Sequence, residues 1–110
     1  MFQIDKNKQI TMIQGDTGII KLMLSNYSLV DGDEVVLGVA IKMGDPILIT
    51  KTITEFEVDG SAIIHLEPKD TANLAAGKYV YEIQVTTSDG RVDTVVPINT
   101  LIIKEGLIYG

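Results

Sequence analysis

Apolar and polar residues alternate with a period of two along most of this chain, in runs that are each only a few residues long. The cleanest run sets Tyr79, Tyr81, Ile83 and Val85 against Lys78, Val80, Glu82 and Gln84. Successive side chains of a strand point to opposite faces, so this pattern predicts a strand with one buried face. A second run sets Val35, Leu37, Val39, Ile41 and Met43 against Val36, Gly38, Ala40 and Lys42. The small residues of its second face predict either close approach of another layer or a shallow exposed face. Ala62, Ile64 and Leu66 are expected inward, with Ile63, His65 and Glu67 outward.

Shorter or less regular runs fill in the rest. Gln9 to Ile13 predicts a first strand at a sheet edge. Gly18 to Leu24 places Ile20, Leu22 and Leu24 on one face. Ile47 to Phe56 carries Thr50, Thr52 and Thr54 on one face, the pattern of a solvated sheet surface. The last strand region, Val92 to Ile103, contains Pro97, which cannot donate to a ladder and so marks an edge or a bulge. Leu101 and Ile103 have the opposite parity to Val92, Thr94 and Val96, as a one-residue bulge would produce.

Between the runs lie turn signals. Val58-Asp59-Gly60-Ser61 and Ser88-Asp89-Gly90-Arg91 contain Asp-Gly pairs that predict tight hairpin turns. After Pro68, Asp70 is placed to cap a short helical turn over Thr71 to Ala75, and Gly77 lets the chain leave it. No amphipathic stretch is long enough to cover a parallel sheet, which excludes a helix-crossover fold. The expected architecture is an all-β, immunoglobulin-like antiparallel β-sandwich of about seven strands, with one short helical turn at the crossover near residues 70–75. Residues 1–8 are expected as an N-terminal arm, 9–104 as the sandwich and 105–110 as a C-terminal tail or linker. A helical turn leading into Tyr-x-Tyr echoes the tyrosine corner of such folds, with Tyr79 and Tyr81 as the two candidates for the hydroxyl that bonds back.

Composition supports sheet: 16 isoleucines, 10 valines and 10 threonines among 110 residues are stiff at χ1 and pack well on a pleated surface. A net charge of −6, with no Lys/Arg cluster, argues against nucleic acid as a partner. No apolar run approaches the roughly 20 residues a membrane-spanning helix needs, and Met1 to Gln9 is too polar for an export signal. There are no cysteines, so disulfides and thiolate-ligated metals are excluded.

Candidate chemistry is sparse. His65, the single histidine, falls on an outward strand position where no nucleophile is expected beside it. Asp31, Asp33 and Glu34 cluster acidic oxygens but lack the twelve-residue calcium loop with its terminal glutamate. Glu67 and Asp70 form a carboxylate pair whose members are better explained as a strand position and a cap. Stacking platforms for sugars are few: there is no tryptophan, and of the six aromatics only Phe2, Tyr27, Phe56 and Tyr109 are expected outside the core. No catalytic, cofactor-binding or metal residues are therefore assigned, and no enzyme activity is expected.

The order of signals resembles the N-terminal domains of phage upper baseplate proteins. The resemblance rests on Gln14-Gly15-Asp16-Thr17 before an alternating strand, and on Pro68, Asp70, Thr71, Leu74, Gly77, Tyr79, Tyr81 and Ile83 in a P-x-D-T-x-x-L-x-x-G-x-Y-x-Y-x-I pattern. The hairpin Asp89 to Val95 adds to it, so that the likeness runs from about Ile10 to Ile103. It implies an immunoglobulin-like structural module of a phage or prophage baseplate or tail, made in the bacterial cytoplasm and built into the virion. Its partners would be other tail and baseplate proteins, with repetition as a homo-oligomer in the assembled particle and no nucleic acid or membrane. The Gly44-Asp45-Pro46 turn matches no motif that would locate a docking surface. The competing expectation is a bacterial cell-surface or carbohydrate-binding β-sandwich module, against which the polar N-terminus counts.

Overall fold

In the computed structural model, which describes residues 1–107, the runs of alternating residues form eight strands among the described residues. They are β1 (Phe2–Ile4), β2 (Ile10–Ile13), β3 (Gly18–Leu22), β4 (Glu34–Ala40), β5 (Ile47–Ile53), β6 (Ala62–Leu66), β7 (Gly77–Thr86) and β8 (Val92–Lys104). One helical turn, α1 (Pro68–Thr71), lies between β6 and β7. The strands make a six-stranded sheet in the order β1-β2-β8-β7-β4-β5, which faces a two-stranded sheet of β3 and β6.

Among the described residues only β2 and β8 pair in parallel; the other ladders are antiparallel. The chain crosses between the sheets before and after β3, and again before and after β6. Strands β4, β7 and β8 with β5 beside β4 are laid out as the larger sheet of an immunoglobulin-like domain, and β3 with β6 is a reduced second sheet. The fold is an immunoglobulin-like sandwich.

The core lies between the two sheets. From the large sheet it takes Val35, Leu37, Val39, Tyr79, Tyr81, Ile83, Val85, Leu101 and Ile103, with Ile10 and Met12 of β2. Ile20, Leu22, Ala62, Ile64 and Leu66 close it from the other side. Truncating a fully buried member such as Leu37 removes its transfer energy and leaves a cavity, at a cost of about 2–5 kcal/mol.

Several expectations change. The first strand is β1, not the run from Gln9, and it pairs with β2. The segment 1–8 therefore adds the edge strand of the large sheet, and β2 sits inside it. Strand β4 ends at Ala40, three residues short of Met43, because the ladder with β5 shifts register between Val39 and Ala40. Ile41 and Met43, which continue the alternation of Val35, Leu37 and Val39, are thereby left exposed in the turn. The helical turn begins at Pro68, earlier than residues 70–75, since proline is preorganised for the first helical position and its missing amide is not needed there.

Both Asp-Gly turns form, but only the glycines, Gly60 and Gly90, have positive φ. Each is a three-residue loop: the Glu57 amide donates to the Ser61 carbonyl and the Gly60 amide to the Glu57 carbonyl, and likewise Thr87 donates to Arg91 and Gly90 to Thr87. The second joins β7 to β8 as a hairpin, whereas the first carries the chain from one sheet to the other. Around Pro97 the β7–β8 ladder shifts register twice, on either side of the Ile83–Val96 pair, where a single bulge was expected. Strand β8 is not an edge over its whole length, but β2 covers it only from Leu101 onward, which leaves Pro97 beside no second partner.

Candidate functional site

The motif residues at the crossover come together as a folded corner. Glu67 is the N-cap of α1 and Asp70 its third residue, and the Asp70 carboxylate accepts the Glu67 amide at 2.7 Å. Asp70 thus caps from inside the helix, and not ahead of it as expected. The Lys51 ammonium reaches across from β5 to the same carboxylate at 2.7 Å, in a mostly buried ion pair. Thr71 is fully buried, and its Oγ1 accepts the Gly15 amide at 2.8 Å. Beside it, the Gln14 side-chain amide donates to the carbonyls of Ala72 and Leu74 at 3.2 and 2.6 Å.

Two separate parts of the sequence pattern, Gln14-Gly15 and Pro68 to Leu74, are therefore two halves of one contact. The half-buried Leu74 also packs against the core. Gly77 opens β7, and the two tyrosines that follow divide the work between them. The Tyr79 hydroxyl donates to the Ala75 carbonyl at 2.5 Å, back across the corner. The Tyr81 hydroxyl donates instead to the carbonyl of Lys8, in the turn between β1 and β2. Burial, followed by the nearby Asp5 carboxylate, raises the Tyr81 hydroxyl above its ordinary value. Among the described residues no buried side-chain nitrogen or oxygen lacks a partner, so the buried polar groups of this corner are spent on holding the fold.

The other acidic candidates are likewise engaged. Asp33 is buried and accepts from the Val30 amide at 2.9 Å, the Tyr27 hydroxyl at 2.8 Å and the Ser88 amide at 3.0 Å. The Val30 bond above all holds its carboxyl below the ordinary value. It ties the loop before β4 to the β7–β8 turn, while Asp31 and Glu34 point to solvent. His65 is exposed on β6, opposite Ile19. Among the described residues, no three histidine or acidic side chains gather as metal ligands would. Phe2 and Phe56, expected outside the core, are half-buried and pack against it; Tyr109 lies outside the described residues.

What the large sheet leaves uncovered is its outer face. Here Val36, Gly38 and Ala40 of β4 form a low column between the taller side chains of β5, β7 and β8. The result is a shallow, mainly apolar groove of about 450 Å³. The small residues on the second face of β4 thus floor an open groove, and no further layer of the described residues covers them. Ile47 and Ile98 line the groove at 59% and 42% exposure, and Met43 stands at its lip at 78%. Residues 42–45 close one end, overlapping the Gly44-Asp45-Pro46 turn that matched no docking motif. Because the surface joins residues from four strands, only the alternation within each strand hinted at it.

No family model matches the chain, and no curated protein sequence does. Solved structures similar to it include the extracellular domains of the voltage-gated sodium channel β4 subunit, described as parallel homodimers that explain its role in cell–cell adhesion. The identity is 14% and the TM-score 0.47, over 96% of this chain and 97% of that one. At that score, nothing of the neighbour's assembly transfers to this chain.

Proposed function

We propose that the protein is a structural module that works by docking other proteins, and that it serves in a phage or prophage baseplate or tail. The observation that carries the docking role is the apolar groove on the outer face of the large sheet. The exposed isoleucine and methionine side chains of Ile47, Ile98 and Met43, gathered in one concave surface, are the usual mark of a protein contact. A sandwich whose buried side-chain polar atoms all find partners among the described residues suits a part that holds position in an assembly. The phage assignment is supported by the ordered motif set, whose two halves meet in the corner of Gln14, Gly15 and Thr71. On this reading the chain is not an enzyme, is made in the bacterial cytoplasm and acts in the virion.

The test is co-expression with the products of the neighbouring reading frames, followed by affinity capture of defined pairs. Ile47→Asp with Ile98→Asp places two charges in the groove at exposed positions and is expected to abolish capture while leaving the denaturation midpoint in place. Capture that survives this variant removes the groove from the docking role. Neighbouring frames that encode no tail, baseplate or lysis proteins would sink the phage assignment.

A further inference from the structure

Resting on that reading of the outer face, we infer that the partner enters the groove with an arginine, its stem lying over Gly38 and its guanidinium on the carboxylate of Glu82. Strand alternation puts Val80, Glu82 and Gln84 on the outer face of β7, and Val36, Gly38 and Ala40 on that of β4. The register sets Glu82 directly beside Gly38, midway along the groove. Glu82 is thus a carboxylate flanked by Val36, Ala40, Ile47, Val80 and Ile98, and it is half-buried before anything docks.

Nothing in the chain answers that charge. Among the described residues Glu82 takes part in no ion pair. Lys78, on the same face of β7, is four residues away, about 13 Å at the usual rise. That exceeds the distance of about 8 Å over which exposed charges act in physiological salt. Lys42 stands at the closed end of the groove, and Asp45 stands there with it. A partner seated on the apolar lining covers Glu82 as well. A carboxylate taken out of water without a counter-charge strongly opposes such a contact, so a wholly apolar partner is disfavoured and a basic group is selected. The net charge of −6 favours the approach of a basic surface from a distance.

Shape selects which basic side chain. A methyl group built on Gly38 meets only Ile47 within 4 Å, with Cδ1 and Cγ2 both at 3.9 Å. The floor at Gly38 is therefore open, with β5 and its Ile47 on one side and β7 and its Glu82 on the other. An arginine suits both walls. Its methylenes pack on Ile47 and the bare backbone of Gly38, and its planar head offers a carboxylate two parallel N–H bonds. It is also more weakly hydrated than a lysine ammonium, which favours it where docking excludes water.

A displayed library of random short peptides tests this on the full chain. Peptides are sorted for binding to the wild type and against binding to Ile47→Asp with Ile98→Asp, which retains those that use the groove. They are expected to carry an arginine beside apolar residues, to bind Glu82→Gln at least about tenfold more weakly, and not to bind Glu82→Lys. Exchanging that arginine for glutamate is expected to abolish binding to the wild type and restore it to Glu82→Lys. Both Glu82 variants are expected to keep the wild-type denaturation midpoint. Groove-specific peptides without a basic residue, or affinity that Glu82→Gln leaves unchanged, overturn the inference and keep the groove as a docking site. Equal binding when lysine replaces the arginine overturns the choice of arginine. A library that yields no groove-specific peptide overturns the inference too, and the docking reading then stands or falls on capture of the neighbouring gene products.

Discussion

The buried hydroxyl of Thr71 accepts the amide proton of Gly15 at 2.8 Å, joining positions 56 residues apart in the chain. The amide has no other partner at hand, and water is kept out by the packing around Thr71, which is fully buried. Replacing Thr71 by Val keeps the shape and removes the acceptor, leaving a buried donor unsatisfied. The expected cost is about 1–3 kcal/mol, read as a lower urea midpoint with an unchanged slope. Thr71→Ser keeps the oxygen and is expected to lose less.

The two tyrosines at the start of β7 anchor different things, and their hydroxyls can be removed one at a time. Tyr79→Phe frees the Ala75 carbonyl, and Tyr81→Phe frees the carbonyl of Lys8. Each is expected to cost on the order of 1 kcal/mol in chemical denaturation. Hydrogen exchange separates them: Tyr81→Phe speeds exchange in β1 and the turn that follows, whereas Tyr79→Phe acts at the corner. An unchanged midpoint for Tyr79→Phe would remove the corner's dependence on that hydroxyl.

Gly60 and Gly90 occupy equivalent places in their loops, with φ of 82° and 91°, but not equivalent surroundings. A methyl group at Gly90 meets nothing within 4 Å, while at Gly60 it falls 2.7 Å from Cβ of Ser28. Gly90→Ala is therefore expected to cost only the left-handed backbone penalty of about 1–2 kcal/mol. Gly60→Ala adds a clash with the loop that Leu29 bonds to the Gly60 carbonyl, and is expected to be clearly worse in thermal unfolding.

Asp33 makes stability depend on pH in a defined direction. Its hydrogen bonds, led by the Val30 amide, favour the carboxylate and lower the folded pKa below the ordinary value of about 3.9. A depressed folded pKa gives stability that is fully present above the unfolded value and is lost as pH falls through the folded one. Asp59, held at about 2 chiefly by the Ser61 hydroxyl, acts in the same direction. Urea midpoints are expected to hold steady above about pH 5 and to fall below about pH 4. In Asp33→Asn the midpoint starts lower and falls less steeply; an acid slope identical to the wild type would show that Asp33 does not carry the dependence.

The class of fold was legible in the sequence because burial in a sandwich imposes period two on each strand separately. Val35 to Val39, Ala62 to Leu66 and Tyr79 to Val85 each show their inner face without reference to any other strand. Proline and glycine likewise act locally, so the break at Pro68 and the loops at Gly60 and Gly90 could be placed from the chain alone. The identity of each strand's neighbour is a different kind of fact. Nothing local says that Ile10 to Ile13 lies parallel to Leu101 to Lys104, or that Phe2 to Ile4 pairs at all.

The candidate site divides in the same way. Its composition, a column of Val36, Gly38 and Ala40, is a property of one strand and was visible as two open possibilities. Its shape needs β5, β7 and β8 placed around that column, in the register that sets Gly38 against Glu82 and Ala40 against Val80. Alternation is a constraint between neighbours two residues apart, so sequence alone carries it. Pairing, docking and surface charge depend on residues tens of positions apart, and only the folded chain brings those together.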